Sequence, residues 1–197
     1  MVRKIAIALV LLSAPAAPAA AQGIQARPIG ATQATAVPDR GMSAVGVSLG
    51  VSAPGDDRLD NGLALSAWAE RYMTRRVSFR GMVTGNWWDM TEGPDGDGIS
   101  PIAVNVNLVY NWERGKWHPY ATAGIGLYKF RFTEDDIDSS DTAPAFNIGG
   151  GAEYFLRLKD TVVVEALIHP VVGDVESRFN TYTPWYWTLS AGYKKYF

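Results

Sequence analysis

Cysteine is absent from all 197 residues, which excludes disulfide cross-links, thiolate metal sites and a thiol nucleophile. Beyond the first residues no stretch approaches the roughly 20 apolar residues that a transmembrane helix needs. Any membrane crossing must therefore be made by strands. Basic charge is not in excess: 18 Lys and Arg stand against 20 Asp and Glu, so the footprint of a nucleic-acid binder is missing. The sequence has neither a phosphate-cradling P-loop nor a dinucleotide-binding glycine fingerprint, and no cofactor is expected. DGDG at 95–98 is similar to the start of a calcium loop, but the remaining ligand spacing and the closing glutamate do not follow, so no metal site is expected. A sustained period of 3.6 residues is lacking as well, which leaves helices out of the expected fold.

What is present begins with a signal-peptide pattern: Val2-Arg3-Lys4, an apolar run from Ile5 to Leu12, then Ala19-Ala20-Ala21. Cleavage is expected after Ala21, giving a signal peptide over 1–21 and moving the formal charge from −2 to −4 with the loss of Arg3 and Lys4. Residues 22–40 contain few large apolar groups and no period, and are expected to be a flexible periplasmic leader. One domain is expected over 41–197.

From Gly41 onward the recurring signal is alternation with period two. Between residues 43 and 52, Val45, Val47, Leu49 and Val51 share one face, while Ala44, Gly46, Ser48 and Gly50 share the other. The same reading predicts seven further strands over 62–72, 76–88, 101–112, 118–132, 144–156, 161–170 and 184–197. The fold class is thus all-β, an eight-stranded antiparallel up-and-down barrel.

The connectors alternate in length along the chain. PGDDRLDN, DMTEGPDGDGIS, TEDDIDSSDTA and GDVESRFNTYT are long and fall at one end of a meander; MTR, ERGKW and RLKD are short and fall at the other. Outer-membrane barrels have long extracellular loops and short periplasmic turns in this order. Charge sorts the same way, with 14 acids in the long connectors against Arg58 and Arg178, and a basic excess around the short turns. Aromatic residues gather near strand ends, as in the girdles of membrane barrels: Trp87 and Trp88, Trp185 and Trp187 at the long-loop end, Trp112, Trp117 and Tyr120 near a short turn, and Tyr193 in the last strand.

Parity directs Glu70, Arg80, Glu153 and Glu165 inward, together with Tyr72, Asn86, Asn105 and Asn107, while Trp68 is expected to plug the interior. Buried charges must pair, so Arg80 is expected to bond to one or more of the glutamates. An eight-stranded barrel is just wide enough for its own side chains, which favours a filled interior over a gated ion path. Gly149-Gly150-Gly151 are expected to pack against interior bulk such as Trp68. His118 is expected at the interface. His169 faces inward near the outer end of its strand, where Ser177, Asp174 and Glu176 could in principle complete a hydrolytic triad.

The closing strand WTLSAGYKKYF ends its outward row on Phe197, which resembles the C-terminal signal read by the barrel assembly machinery. NLVYNWERGKWHPYATAGIGLY, residues 107–128, with Pro119, Tyr120, Gly124 and Gly126, and NIGGGAEYF, residues 147–155, resemble the small eight-stranded outer-membrane barrels related to the OmpA transmembrane domain and the opacity-type, porin-like surface proteins. The inward Glu165 fits the same pattern. No peptidoglycan-binding domain follows the barrel pattern, so the resemblance implies no cell-wall tether.

These readings lead to a Gram-negative outer-membrane barrel with a structural or surface-interaction role, acidic extracellular loops and a side-chain-filled polar lumen. Its expected partners are membrane lipid, lipopolysaccharide and the assembly machinery, with no nucleic acid, and it is expected to be monomeric and non-enzymatic. Three alternatives stay open: a narrow solute or ion channel, a lipid-modifying barrel enzyme and a soluble lipocalin-like binder.

Overall fold

A computed structural model describes residues 26–28, 34–36, 38–91, 97–112, 115–134, 137–177, 180–182 and 185–197. The expected signal peptide over 1–21 lies outside the described residues. Within 22–40, Ala26–Pro28 pairs antiparallel with Ala34–Ala36.

Eight strands form the barrel: β1 Ser43–Pro54, β2 Gly62–Tyr72, β3 Val77–Asp89, β4 Ile102–Asn111, β5 Trp117–Glu134, β6 Ile137–Phe155, β7 Asp160–Pro170 and β8 Trp185–Tyr196. Each pairs antiparallel with its neighbours in sequence, and β8 returns to β1 with Tyr186 opposite Pro54 and Tyr196 opposite Ala44. Closure pairs the last strand with the first, so neither is left as an edge of the barrel. Val47, Leu49, Val104, Val106, Ile125 and Leu127 all point outward and are more than half exposed. The side chains between them are buried. Apolar residues outside and polar ones inside is the reverse of a soluble barrel.

The short turns are tight. Thr74 Oγ1 accepts the N–H groups of Arg76 and Val77 at 3.2 and 3.0 Å, and the turn before β5 passes through Gly115 at φ 65°, a left-handed conformation that glycine adopts without strain.

The long connectors depart from the sequence expectation. TEDDIDSSDTA is not a loop: β5 and β6, of 18 and 19 residues, stay paired until Glu134 meets Ile137. A membrane-crossing strand needs only about 9–11 residues, so this hairpin extends well past the apolar band. Its polar composition hides an alternation that neighbours stabilise. On one side Gly98–Ile99 pairs with both β3 and Phe132–Thr133 of β5. On the other, the Val172 N–H donates to the Pro144 carbonyl at 2.9 Å, and the Glu176 N–H donates to Asp141 Oδ2 at 3.0 Å. Part of GDVESRFNTYT is likewise paired, Val175–Glu176 against Thr181–Tyr182.

Candidate functional site

The lumen is filled in tiers. At the short-turn end Met42, Ala44, Tyr72, Phe155 and Tyr196 form an apolar plug, and the His118 ring packs on Phe155 with centroids 4.7 Å apart. His118 is therefore buried inside the barrel rather than at the lipid interface, because parity, not chain position, decides its side.

Above this plug lies the charge tier. Glu70 on β2, Arg80 on β3, Glu153 on β6 and Glu165 on β7 converge with their side chains fully or almost fully buried. Arg80 Nη1 donates to Glu165 Oε2 at 2.5 Å and Nε to Glu70 Oε2 at 3.3 Å. Lys194 on β8, not assigned to this network by the sequence reading, puts its ammonium 2.7 Å from both Glu70 and Glu153. The signal was available: Lys194 shares the inward row of the last strand with Tyr196. Hydroxyls add further bonds to the three carboxylates. Ser78 donates to Glu70, Tyr196 to Glu153 at 2.6 Å and Tyr120 to Glu165 at 2.8 Å. The Arg80 guanidinium also lies over the rings of Trp68 and Tyr120, 5.3 and 5.1 Å from their centroids.

The glycines of this region make room for the bulk. A Cβ at Gly46 would fall within the Trp68 indole. Gly46, on the neighbouring strand, therefore provides the space expected from Gly149-Gly150-Gly151; of those three, Gly151 faces the Tyr120 side chain and Gly149 the backbone of β7. Gly124 and Gly126 lie opposite Asn107 and Asn105, whose side chains occupy the space a Cβ would take.

A tier of amides follows, with Asn147 Nδ2 donating to Asn105 and Asn107 at 3.2 and 2.9 Å. Next come His169, Tyr128 and Tyr186: Tyr128 Oη is 2.8 Å from His169 Nδ1, Thr188 Oγ1 is 3.3 Å from Nε2, and Tyr186 stacks on the imidazole at 4.4 Å. Trp88, Ile99, Phe130, Phe132, Val175 and Tyr182 close the long-connector end as one apolar cluster.

The outward aromatics sit at the two rims. Trp87, Trp185 and Trp187 are exposed at the long-connector end, Trp112 and Tyr193 at the short-turn end. Trp88 and Tyr120 do not join them. Each is one residue out of phase with the outward row and so points inward, Trp88 donating from Nε1 to Ser52 Oγ at 2.7 Å. Phe197 is exposed and its N–H donates to the Ser43 carbonyl at 2.9 Å. At the long-connector rim Asp56 grips Arg58 at 2.6 Å, and that side-chain hydrogen bond holds the Asp56 carboxyl below the usual carboxylate range.

The sequence matches the family described as outer membrane protein beta-barrel domain over residues 5–194. No curated protein matches it. Several solved barrels share the fold at low identity. Neisserial surface protein A (NspA) is 13% identical, with 79% of this chain and 99% of that chain covered at a TM-score of 0.63. OprG from Pseudomonas aeruginosa is 14% identical, covering 81% and 97% at 0.55. Ail, the attachment invasion locus protein of Yersinia pestis, is 13% identical, covering 80% and 99% at 0.54.

Proposed function

The chain belongs to the family of outer membrane protein beta-barrel domains, and from that premise we propose that it is a monomeric structural or surface-interaction protein whose working surface is its extracellular end. The observation that carries this reading is the filled lumen. Aromatic plugs close both ends, and a cross-linked charge tier lies above the periplasmic one. The interior is thereby committed to holding the barrel together, with Glu70, Arg80, Glu153 and Glu165 as a lumen network. Trp87, Trp112, Trp185, Trp187 and Tyr193 serve as the girdle, and the exposed Phe197 at the end of the outward row serves as the assembly signal. The paired β5–β6 extension and its acidic neighbours then offer the shape a surface partner would read. His169 is engaged by Tyr128, Thr188 and Tyr186 rather than by a carboxylate, which supports a packing role over a catalytic one.

The test is replacement of residues 133–138 by a two-residue turn. The variant is expected to reach the outer membrane with heat-modifiable gel mobility and to lose attachment of whole cells to a host-cell monolayer. Unchanged attachment, with the envelope becoming detergent-sensitive, would assign the protein to the structural half of the proposal.

A narrow channel is the second reading, favoured by one observation. Buried Arg80 Nη2, Asn86 Oδ1, Asn105 Nδ2, Asn107 Nδ2 and Asn147 Oδ1 have no protein partner along the lumen, and such groups are commonly bridged by internal water. Planar-bilayer recordings decide it: a conductance in the wild type that changes in Arg80→Ala would support transport.

A further inference from the structure

We propose that the open edge of β6 between Asp138 and Thr142 accepts an added β-strand from a cationic, extended segment of a partner protein. The proposal rests on the reading of the long-connector end as the working surface. On one side β6 outlasts its neighbour. It stays paired with β5 until Ile137 meets Glu134, whereas its ladder with β7 ends at Ile148, followed only by a bridge between Ala145 and Val171. Beyond that bridge the Val172 N–H donates to the Pro144 carbonyl at 2.9 Å, and Gly173, at φ 83°, turns the chain away. The diverted segment crosses inward and buries Val175 in the apolar cluster of the mouth.

Two observations fix where the backbone of this stretch points. Pro144 directs its carbonyl to the β7 side, and alternate residues of a strand turn their peptide groups the same way, so Thr142, Ser140 and Asp138 face that side too. On the other strand, Arg131 exchanges hydrogen bonds of 3.3 and 2.8 Å with Ser100, so its backbone faces away from Ser140, its register partner on β6. Ser140 therefore turns both its N–H and its C=O to the open edge. Asp138 does the same. Thr142 offers its carbonyl, its N–H being held by Asp141 Oδ1 at 2.6 Å. Among the described residues no backbone partner meets Asp138 or Ser140 on this side. The opening runs for about 13 Å at roughly 3.3 Å per residue.

Nothing in this stretch blunts the edge. Strand edges left in water are commonly closed by proline, lysine or a bulge. Residues 138–142 contain neither proline nor lysine, and their register with β5 runs unbroken. Pro144, which has no N–H, limits the opening from below.

Charge identifies the occupant. Beside the opening stand Asp138 and Asp141 on β6 and Asp174 and Glu176 on the diverted segment, whose Glu176 N–H donates to Asp141 Oδ2 at 3.0 Å. Neither 137–144 nor 171–177 contains lysine or arginine. Lys129 and Arg131 lie one strand further from the opening, across Thr142 and Ser140 on β5. A second copy of this chain would set the same acids against each other, which is unfavourable. An extended segment with lysine or arginine between hydroxyl or β-branched residues meets both requirements, main-chain bonds to the edge and opposite charge at its flank.

Full-length protein refolded in detergent is titrated with a fluorescent peptide of alternating lysine and threonine, with the same peptide N-methylated throughout, and with a peptide of alternating glutamate and threonine. The wild type is expected to bind the first, more weakly as salt rises, and neither of the others. Ser140→Pro removes an edge donor that β5 does not use. It is expected to keep heat-modifiable mobility and to bind the first peptide roughly tenfold more weakly, the effect of one hydrogen bond. Asp138→Asn combined with Glu176→Gln is expected to lose most of the salt dependence. Equal binding by the wild type and a folded Ser140→Pro overturns the proposal. So does equal binding of the N-methylated peptide by the wild type, a comparison that holds even if Ser140→Pro fails to fold, and so does the absence of peptide binding in any form. If replacement of residues 133–138 abolishes cell attachment while Ser140→Pro attaches as the wild type does, the edge is not the contact and the surface reading stands without it.

Discussion

Lys194 and Glu70 meet at 2.7 Å across the width of β1, joining the last strand to the second through the lumen. The same ammonium reaches Glu153 at 2.7 Å. Lys194→Met would leave two buried carboxylates short of a cation and is expected to cost about 3–5 kcal/mol of folding free energy. Adding Glu153→Gln to it should recover part of that loss, which urea unfolding in detergent would measure. A Lys194→Met barrel as stable as the wild type would refute the coupling.

Gly46 and Trp68 form a second interlocked pair. Because a Cβ at Gly46 would fall within the indole, Gly46→Ala is expected to destabilise the barrel by about 1–3 kcal/mol. Trp68→Ala in the same chain should make that substitution almost neutral. Additive costs in the double-mutant cycle would show that the two positions do not share a space.

Leu49 reports which face meets lipid. It is outward on β1, opposite Ala191 and Leu65 in mid-sheet. Leu49→Arg is expected to cost about 2–4 kcal/mol when folding is measured in lipid vesicles. A soluble barrel with this side chain in water would show almost no change.

Acid sensitivity at the long-connector rim follows from Asp56. Arg58 donates to its carboxylate from Nε at 2.9 Å and from the backbone N–H at 3.0 Å, and the carboxyl titrates below its usual range. A lowered folded-state pKa gives a contribution that is present above the unfolded value and lost as pH falls through the folded one. Hydrogen exchange at the Arg58 and Leu59 amides should thus keep its protection from pH 7 down to roughly pH 5, above the ordinary carboxylate range. Arg58→Ala keeps these backbone donors but removes the guanidinium, so in that variant the protection should be weaker and lost at a higher pH than in the wild type.

Alternation made the barrel legible, because one side of every crossing strand must face hydrocarbon and the two faces cannot be exchanged without moving a whole row. The inward glutamates and Arg80 followed from the same parity. Trp88 and Tyr120 did not, since nearness to a strand end suggested a girdle while their phase placed them inside. TEDDIDSSDTA was illegible for another reason: its strands are held by Gly98–Ile99 and Val172, residues distant in sequence whose approach no local pattern announces.

The distribution of interior charge also bears on how the chain closes. With seven strands in place, Glu70, Glu153 and Glu165 would share Arg80 as their cation; β8 delivers Lys194 and the Tyr196 hydroxyl together. An unclosed barrel is therefore electrostatically incomplete as well as open at an edge. Seating the final strand changes the interior from one cation to two against three carboxylates, and a register shift of one residue would turn Lys194 to the lipid and forfeit that pairing.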